Sequence, residues 1–241
     1  MCKRKIFTLF LMFFSFFLMV EPALAGPGGK IASTMFDSTW GKVLLVLLFI
    51  FFLPLIAVNS IKLKMAEKRA FKDLAFMSHY SEHFDWLRIE QRVKDSFLRV
   101  HNGWQDEDLS DVSSLMTESY LRNQQQVYLD KWKQKGLVNI CNIKIIKQIK
   151  PLMVVHRNHK EGHRESTILV TVKAEMNDYL KHRETGAISE GNEEYKTVTT
   201  VWTFSLVDDE WKVADINQSN TIMPYVKMLK NLPSIQSTVT E

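Results

Sequence analysis

The stretch Tyr195–Asn217, YKTVTTVWTFSLVDDEWKVADIN, decides the fold. Apolar and polar residues alternate on either side of Asp208-Asp209-Glu210, which is the pattern of two antiparallel strands folded back on one another through a tight turn. The period of two also holds upstream, where Ile168, Val170, Val172, Ala174 and Met176 alternate with polar partners. Val138 to His156 is rich in isoleucine and valine with Pro151 near its middle. That composition predicts a long bent or edge strand, because proline has no N–H to give to a ladder. RNHKEGHRE (157–165) and KHRETGAISEGNEE (181–194) read as the polar loops between these strands.

Before Gly136 the period is helical. Trp86, Ile89, Val93, Phe97, Val100 and Trp104 recur every three or four residues, the spacing of one buried helix face. Gly103 and the acidic turn QDEDLSD are expected to break this helix. Leu109, Val112, Leu115 and Met116 then suggest a short second helix capped by Ser110. Thr117 and Glu118 open a third, carrying Tyr120, Leu121, Val127, Tyr128 and Trp132, and Gly136 is placed to end it. Helices followed by a curled antiparallel sheet make an α+β domain. From Asn220 onward the periodicity fades, so the 220–241 tail is expected to pack loosely.

The N-terminal quarter has another character. Only five of the 31 lysines and arginines and two of the 27 acids precede Lys62, which leaves 26 cations against 25 anions in the rest of the 241 residues. A nearly neutral soluble part argues against nucleic-acid binding, which needs a basic face on the folded domain. Residues 1–25 have the layout of a secretory signal: Lys3, Arg4 and Lys5, then an apolar core, then Ala23-Leu24-Ala25. Residues 26–41 read as an exposed, turn-rich leader, and 42–61 as a transmembrane helix. Val43 to Val58 carries no charge, and Trp40 to Ile61 would reach roughly 33 Å as a helix, enough for a hydrocarbon core. Residues 62–85 read as a basic juxtamembrane helix with Leu63, Ala66, Ala70 and Leu74 on one stripe. Lys62, Lys64, Lys68, Arg69 and Lys72 crowd this end, so the positive-inside rule leaves the C-terminal part in the cytoplasm. The same residues are candidates for contact with anionic headgroups. Cys141 is the only cysteine outside the signal, so no intrachain disulfide is expected.

Few residues point to chemistry. His79 and His83 are four apart on a helical stretch, and His156, His159 and His163 share one loop, spacings at which imidazoles can hold zinc. The first pair lacks a third ligand and the second set lies on a polar turn, so no metal is expected. Asp178 and Asp215 could serve as general bases inside a concave sheet, but nothing pairs them with a nucleophile, and structural roles are the simpler expectation. No phosphate-binding glycine loop, HExxH or GxSxG motif is present. Neither catalysis nor a cofactor is expected. Phe97, Trp104, Trp132, Trp202, Phe204 and Trp211 are the candidates for a hydrophobic core or an apolar pocket.

Three segments, WLRIEQRVKDSFLRVHNGWQDEDLSDVSSLMTESYL, MNDYL and VWTFSLVDDEWKVADINQ, together resemble the C-terminal domain of the mitochondrial inner-membrane import-motor tether, the translocase subunit of forty-four kilodaltons, and its bacterial relatives. The resemblance covers about Trp86 to Ser219. It implies a cystatin-like cone of the nuclear-transport-factor-two type over 86–219, with helices packed on a curved antiparallel sheet and a hydrophobic pocket between them. It also implies a non-enzymatic adaptor held at an inner membrane, touching lipid and a protein partner. This chain departs from the family pattern in lacking the long charged N-terminal region that engages a chaperone. The acidic residue ahead of Trp202-Thr203-Phe204 is also replaced, by Thr200 or Val201.

Three function classes are compatible with these features. One is a membrane-anchored adaptor whose cytoplasmic cone binds protein segments or lipid. Another is an inner-membrane scaffold of a secretion system with a periplasmic cone. The third is a pocket protein for a small ligand or lipid.

Overall fold

The computed structural model of the chain describes residues 38–240. The expected signal (1–25) and residues 26–37 of the expected leader lie outside the described residues. Helix α1, Thr39–Met77, runs from the apolar stretch into the sequence beyond it without a break, with Pro54 inside it. Two compact units meet at Val58/Asn59, within this helix. In the first unit the described side chains of the charge-free run are mostly exposed, Leu47 and Phe51 among them.

The second unit, residues 59–241, is an α+β domain. Helix α2, Trp86–Asp106, starts at Asp85, whose carboxylate accepts the Arg88 N–H at 3.0 Å, and ends on Glu107 in the left-handed region at φ 56°. The helix therefore runs three residues past Gly103. Gly103 serves close approach instead: a Cβ there would meet the Asp108 carbonyl at 3.0 Å and the Leu109 and Val112 side chains at 3.2 and 3.3 Å. That lets the 3₁₀ segment Ser110–Leu115 fold tightly against the end of α2. Thr117 caps the next helix, which runs from Glu118 through a π-type stretch at Gln124–Leu129 to Gln134. Gly136 follows at φ 63°.

Four antiparallel strands form one sheet in the order β1-β2-β3-β4: Leu137–Val155, Thr167–His182, Ile188–Val207 and Glu210–Gln218. β1 is an edge strand with register shifts at Ile143/Ile145, Ile146/Gln148 and Pro151/Met153, so the proline sits where the ladder is already interrupted. Lys144, Lys147 and Lys150 along it reach Glu175, Glu175 and Glu67 at 2.8, 2.6 and 3.0 Å. A bulged edge set with lysines is a poor template for a further strand. β4 closes the other side, where Thr117 N–H donates to the Val213 carbonyl at 2.9 Å. The β3–β4 turn places Asp208 and Asp209 at φ 52° and 60°, the hand that matches strand twist. The stretch 188–194, expected as loop, is the first part of β3. Its side chains are exposed, so it shows no apolar alternation, yet its backbone pairs with β2 from Lys181 to Asp178.

Both faces of the sheet are covered. On one, Ile89, Val93, Phe97 and Val100 of α2 pack with Ile168, Val170, Trp202, Phe204 and Val213. On the other, Leu152, Met153, Leu169 and Val201 meet Ala66 of α1 and Val226 and Leu229 of the C-terminal segment. That segment holds a helix at Ile222–Met228 and a final turn at Ser237–Thr240. The tail is therefore packed and not loose, because the second sheet face needs a cover that α1 alone does not supply. The expected juxtamembrane stripe likewise faces protein: Ala66, Ala70 and Leu74 are buried within the unit, Leu63 is half-buried, and Met77 extends the stripe by one buried position. Residues 62–77 are thus part of the folded domain and not a separate stalk.

Candidate functional site

The aromatic candidates fall into three groups. Phe97, Trp202 and Phe204 are at most 1% exposed, with Phe97 and Trp202 ring centroids 5.3 Å apart and Trp202 and Phe204 6.3 Å apart. They fill the space between α2 and the sheet, so an apolar cleft among these three rings is not formed. Trp104 and Trp132 pack against this core and are half-buried. Trp211 lies at the rim, where its indole N–H donates to the His83 carbonyl at 2.7 Å and Arg92 reaches its carbonyl at 3.0 Å. It lines a cleft of about 210 Å³ with Glu82, Arg88 and Glu210.

Sequence reading missed His101. It is 4% exposed inside the aromatic cluster, 4.4 Å from Phe97 and 5.0 Å from Trp104 between ring centroids. Its Nδ1 lies 2.6 Å from the Phe97 carbonyl. Burial lowers its pKa to about 4, so the ring is neutral in the folded domain. The signal was available, since His101 follows Phe97 by one helical turn on the buried face.

The basic candidates also separate. Lys62, Lys64, Lys68 and Lys72 are exposed, directly after the charge-free run. Arg69 is engaged instead: its guanidinium donates to the carbonyls of Leu229 at 2.7 Å and Pro233 at 3.0 Å and lies 3.5 Å from Asp73. It anchors the C-terminal segment and is not available as a headgroup contact.

The two carboxylates are far apart in the register and do not meet. Asp215 is exposed at the β3–β4 irregularity and accepts from its neighbours Ile216 N–H and Asn217 Nδ2 at 2.9 and 2.5 Å. Asp178 is exposed on β2, opposite Cys141 in β1. The Cys141 thiol is buried, and desolvation together with the Asp178 charge pushes its pKa up to about 12. Such a thiol is inert at neutral pH.

His156, His159 and His163 converge, with one ligand atom from each lying within 4.8 Å of the others. His79 and His83 do not join them; His83 faces Asp209 at 3.6 Å.

A family model for the Tim44-like domain matches residues 72–218, which begins in the buried half of α1 and ends with β4. No match was found among curated proteins. Among solved structures, the intermembrane-space region of the chloroplast protein ARC6 is similar at 15% identity and a TM-score of 0.40, over 56% of this chain and 98% of that one. With more than half of its length matched by that family model, this chain belongs to the Tim44-like domain family.

Proposed function

We propose that this protein is a membrane-anchored, non-enzymatic adaptor that holds its Tim44-like domain on the cytoplasmic side of a bacterial inner membrane, where the domain binds protein segments or lipid headgroups. The observation that carries this reading is the composition of α1. Its first half presents exposed apolar side chains over a charge-free run, and four exposed lysines follow immediately. Residues 1–25 act as the signal that takes the N-terminus across, and α1 stops transfer. Filled packing around Phe97, Trp202 and Phe204 favours an adaptor over a carrier, because the interior between α2 and the sheet is occupied by protein. The family is one of membrane-associated adaptors without catalytic activity, and the rigid two-faced sheet suits recognition by its surface.

A reporter fused after Glu241 tests the orientation. A fluorescent protein there should be bright and alkaline phosphatase inactive. Active phosphatase would put the domain outside the cytoplasm and replace this reading with the periplasmic scaffold. Crosslinking in the native membrane then identifies the bound species.

A further inference from the structure

We infer that His156, His159 and His163 bind one divalent transition-metal ion, Zn²⁺ foremost. The sequence alone presents these residues as loop histidines. The fold brings them together through a tightly stitched turn: Asn158, Gly162, His163 and Glu165 all have positive φ, at 50°, 68°, 61° and 61°. Three of these four are not glycine, and surrounding contacts hold them there. Asn158 Nδ2 donates to the Arg164 carbonyl at 2.9 Å, and the Asn158 carbonyl accepts from both Glu161 and His163 N–H, at 3.0 and 2.9 Å. Ser166 Oγ accepts the Arg157 N–H at 3.0 Å. The result is a ring of three imidazoles with centroids 5.1 to 5.7 Å apart.

Hydrogen bonding specifies the tautomer of His156. Thr238 donates its hydroxyl proton to the Ile235 carbonyl at 2.7 Å, so toward His156 Nδ1, also 2.7 Å away, it can only accept. His156 therefore carries its proton on Nδ1 and turns the Nε2 lone pair into the cluster. This is the arrangement of a metal-binding histidine whose second nitrogen is held by an outer partner. His163 Nδ1 stands 2.9 Å from that lone pair and fills its place by donating to it. The third member has no such solution: His159 Nδ1 is buried and has no hydrogen-bond partner. A buried nitrogen without a partner is rare in native proteins, and an ion at the centre of the three would satisfy it.

The surroundings suit a cation held by neutral imidazoles. Burial and the neighbouring imidazoles lower the pKa of His156 to about 4 and that of His163 in the same direction, so both are unprotonated at neutral pH. Phe84 walls the cluster with its ring 6.0 Å from His156 and 5.4 Å from His163, and Tyr80 stands 5.7 Å from His159. The open side is a cleft of about 400 Å³ whose lining includes Glu161 and Glu165, with Arg157 and Lys160 balancing their charge. A fourth ligand, water or one of these carboxylates, enters from there. Three nitrogen donors select zinc, copper or nickel over magnesium and calcium. In a tetrahedral site the nitrogens stand about 3.4 Å apart, so the closest pair opens and the widest closes, within reach of imidazole rotation.

The test uses the tag-free full chain in detergent, stripped with a chelator and titrated with Zn²⁺ against a chromophoric competitor. One ion per chain is expected, and Co²⁺ in its place should give the visible band of a four-coordinate site. His159→Ala deletes a side chain that donates and accepts nothing through Nδ1, so the metal-free melting temperature should hold while affinity falls by at least about 100-fold. Thr238→Val, which leaves all three ligands in place, should weaken binding by about 10- to 100-fold, and His79→Ala should not change it. Absence of saturable binding, or binding that survives His159→Ala, would overturn the assignment and leave a water-bridged histidine cluster.

Discussion

At the scale of single residues, burial of His101 makes the domain sensitive to acid. In the unfolded chain the ring titrates near 6.5, while in the folded domain it titrates at about 4. Below pH 6.5 the unfolded chain takes up a proton that the native state refuses, so stability falls as pH drops toward 4 and is fully present above 6.5. Between pH 7 and pH 5 the loss from this group is about 2 kcal/mol, and His156 adds to it with the same sign. The melting temperature of the full chain should therefore fall over that interval. His101→Asn, which keeps an N–H for the Phe97 carbonyl, should flatten the profile; parallel profiles for variant and parent would remove His101 as the cause. A second position is fixed by sterics. Gly191 pairs with Tyr179 at φ 79°, where a Cβ would lie 2.6 Å from the Asp178 carbonyl oxygen. Gly191→Ala should cost about 1–3 kcal/mol, read as a lower melting temperature. These two residues mark what sequence reading could and could not reach. His101 sits on a visible helical stripe, whereas Gly191 lies in a polar tract whose strand pairing leaves no trace in side-chain alternation.

At the scale of elements, legibility followed one-sided burial. Trp86–Trp104 buries one face, and Tyr195–Asn217 buries one face apart from Val201, which packs on the other, so their periods show in the sequence, and the expected helix and hairpin are both present. Residues 188–194 expose both faces, so no alternation marks them as strand. The C-terminal segment carries no readable period for another reason: its buried residues Val226, Leu229 and Ile235 are preceded by Pro224 and interrupted by Pro233, so no helical stripe accumulates. What positions it is Arg69, 160 residues before the Leu229 carbonyl that it holds. Its planar fork satisfies carbonyls at the end of a short helix, where backbone acceptors lack intrahelical partners. Arg69→Ala should loosen the tail by about 1–2 kcal/mol, allowing for its partial exposure, and limited proteolysis should cut near Lys230 earlier than in the parent. Arg69→Lys retains charge but not the fork and should fall between the two. Equal cleavage rates for all three would mean that apolar contacts alone hold the segment.

At the scale of the whole molecule, the boundary between the apolar run and the domain falls inside α1 and not at its end. A reading from composition places it where the basic stretch gives way to the aromatic stripe, near Trp86. The buried residues place it at Asn59, since Ala66, Ala70, Leu74 and Met77 all contribute to the packing of residues 59–241. The same helix thus carries two patterns of different origin, first an apolar run whose described side chains are mostly exposed and then a stripe that packs within the domain. The two readings make opposite demands on truncation. A chain shortened to residues 59–241 keeps every side chain of both apolar clusters and should remain soluble, with a melting temperature near that of the full chain. A chain shortened to 86–241 loses Leu74, Met77 and Phe84, each at most 1% exposed and each contributing about 2 kcal/mol by burial. That sum, about 6 kcal/mol, is comparable to the 5–15 kcal/mol that holds an ordinary domain together, and the truncation uncovers Leu152 and Met153 as well. The shorter chain should aggregate or melt without cooperativity. A soluble, cooperative 86–241 fragment would show that the second half of α1 is a stalk after all.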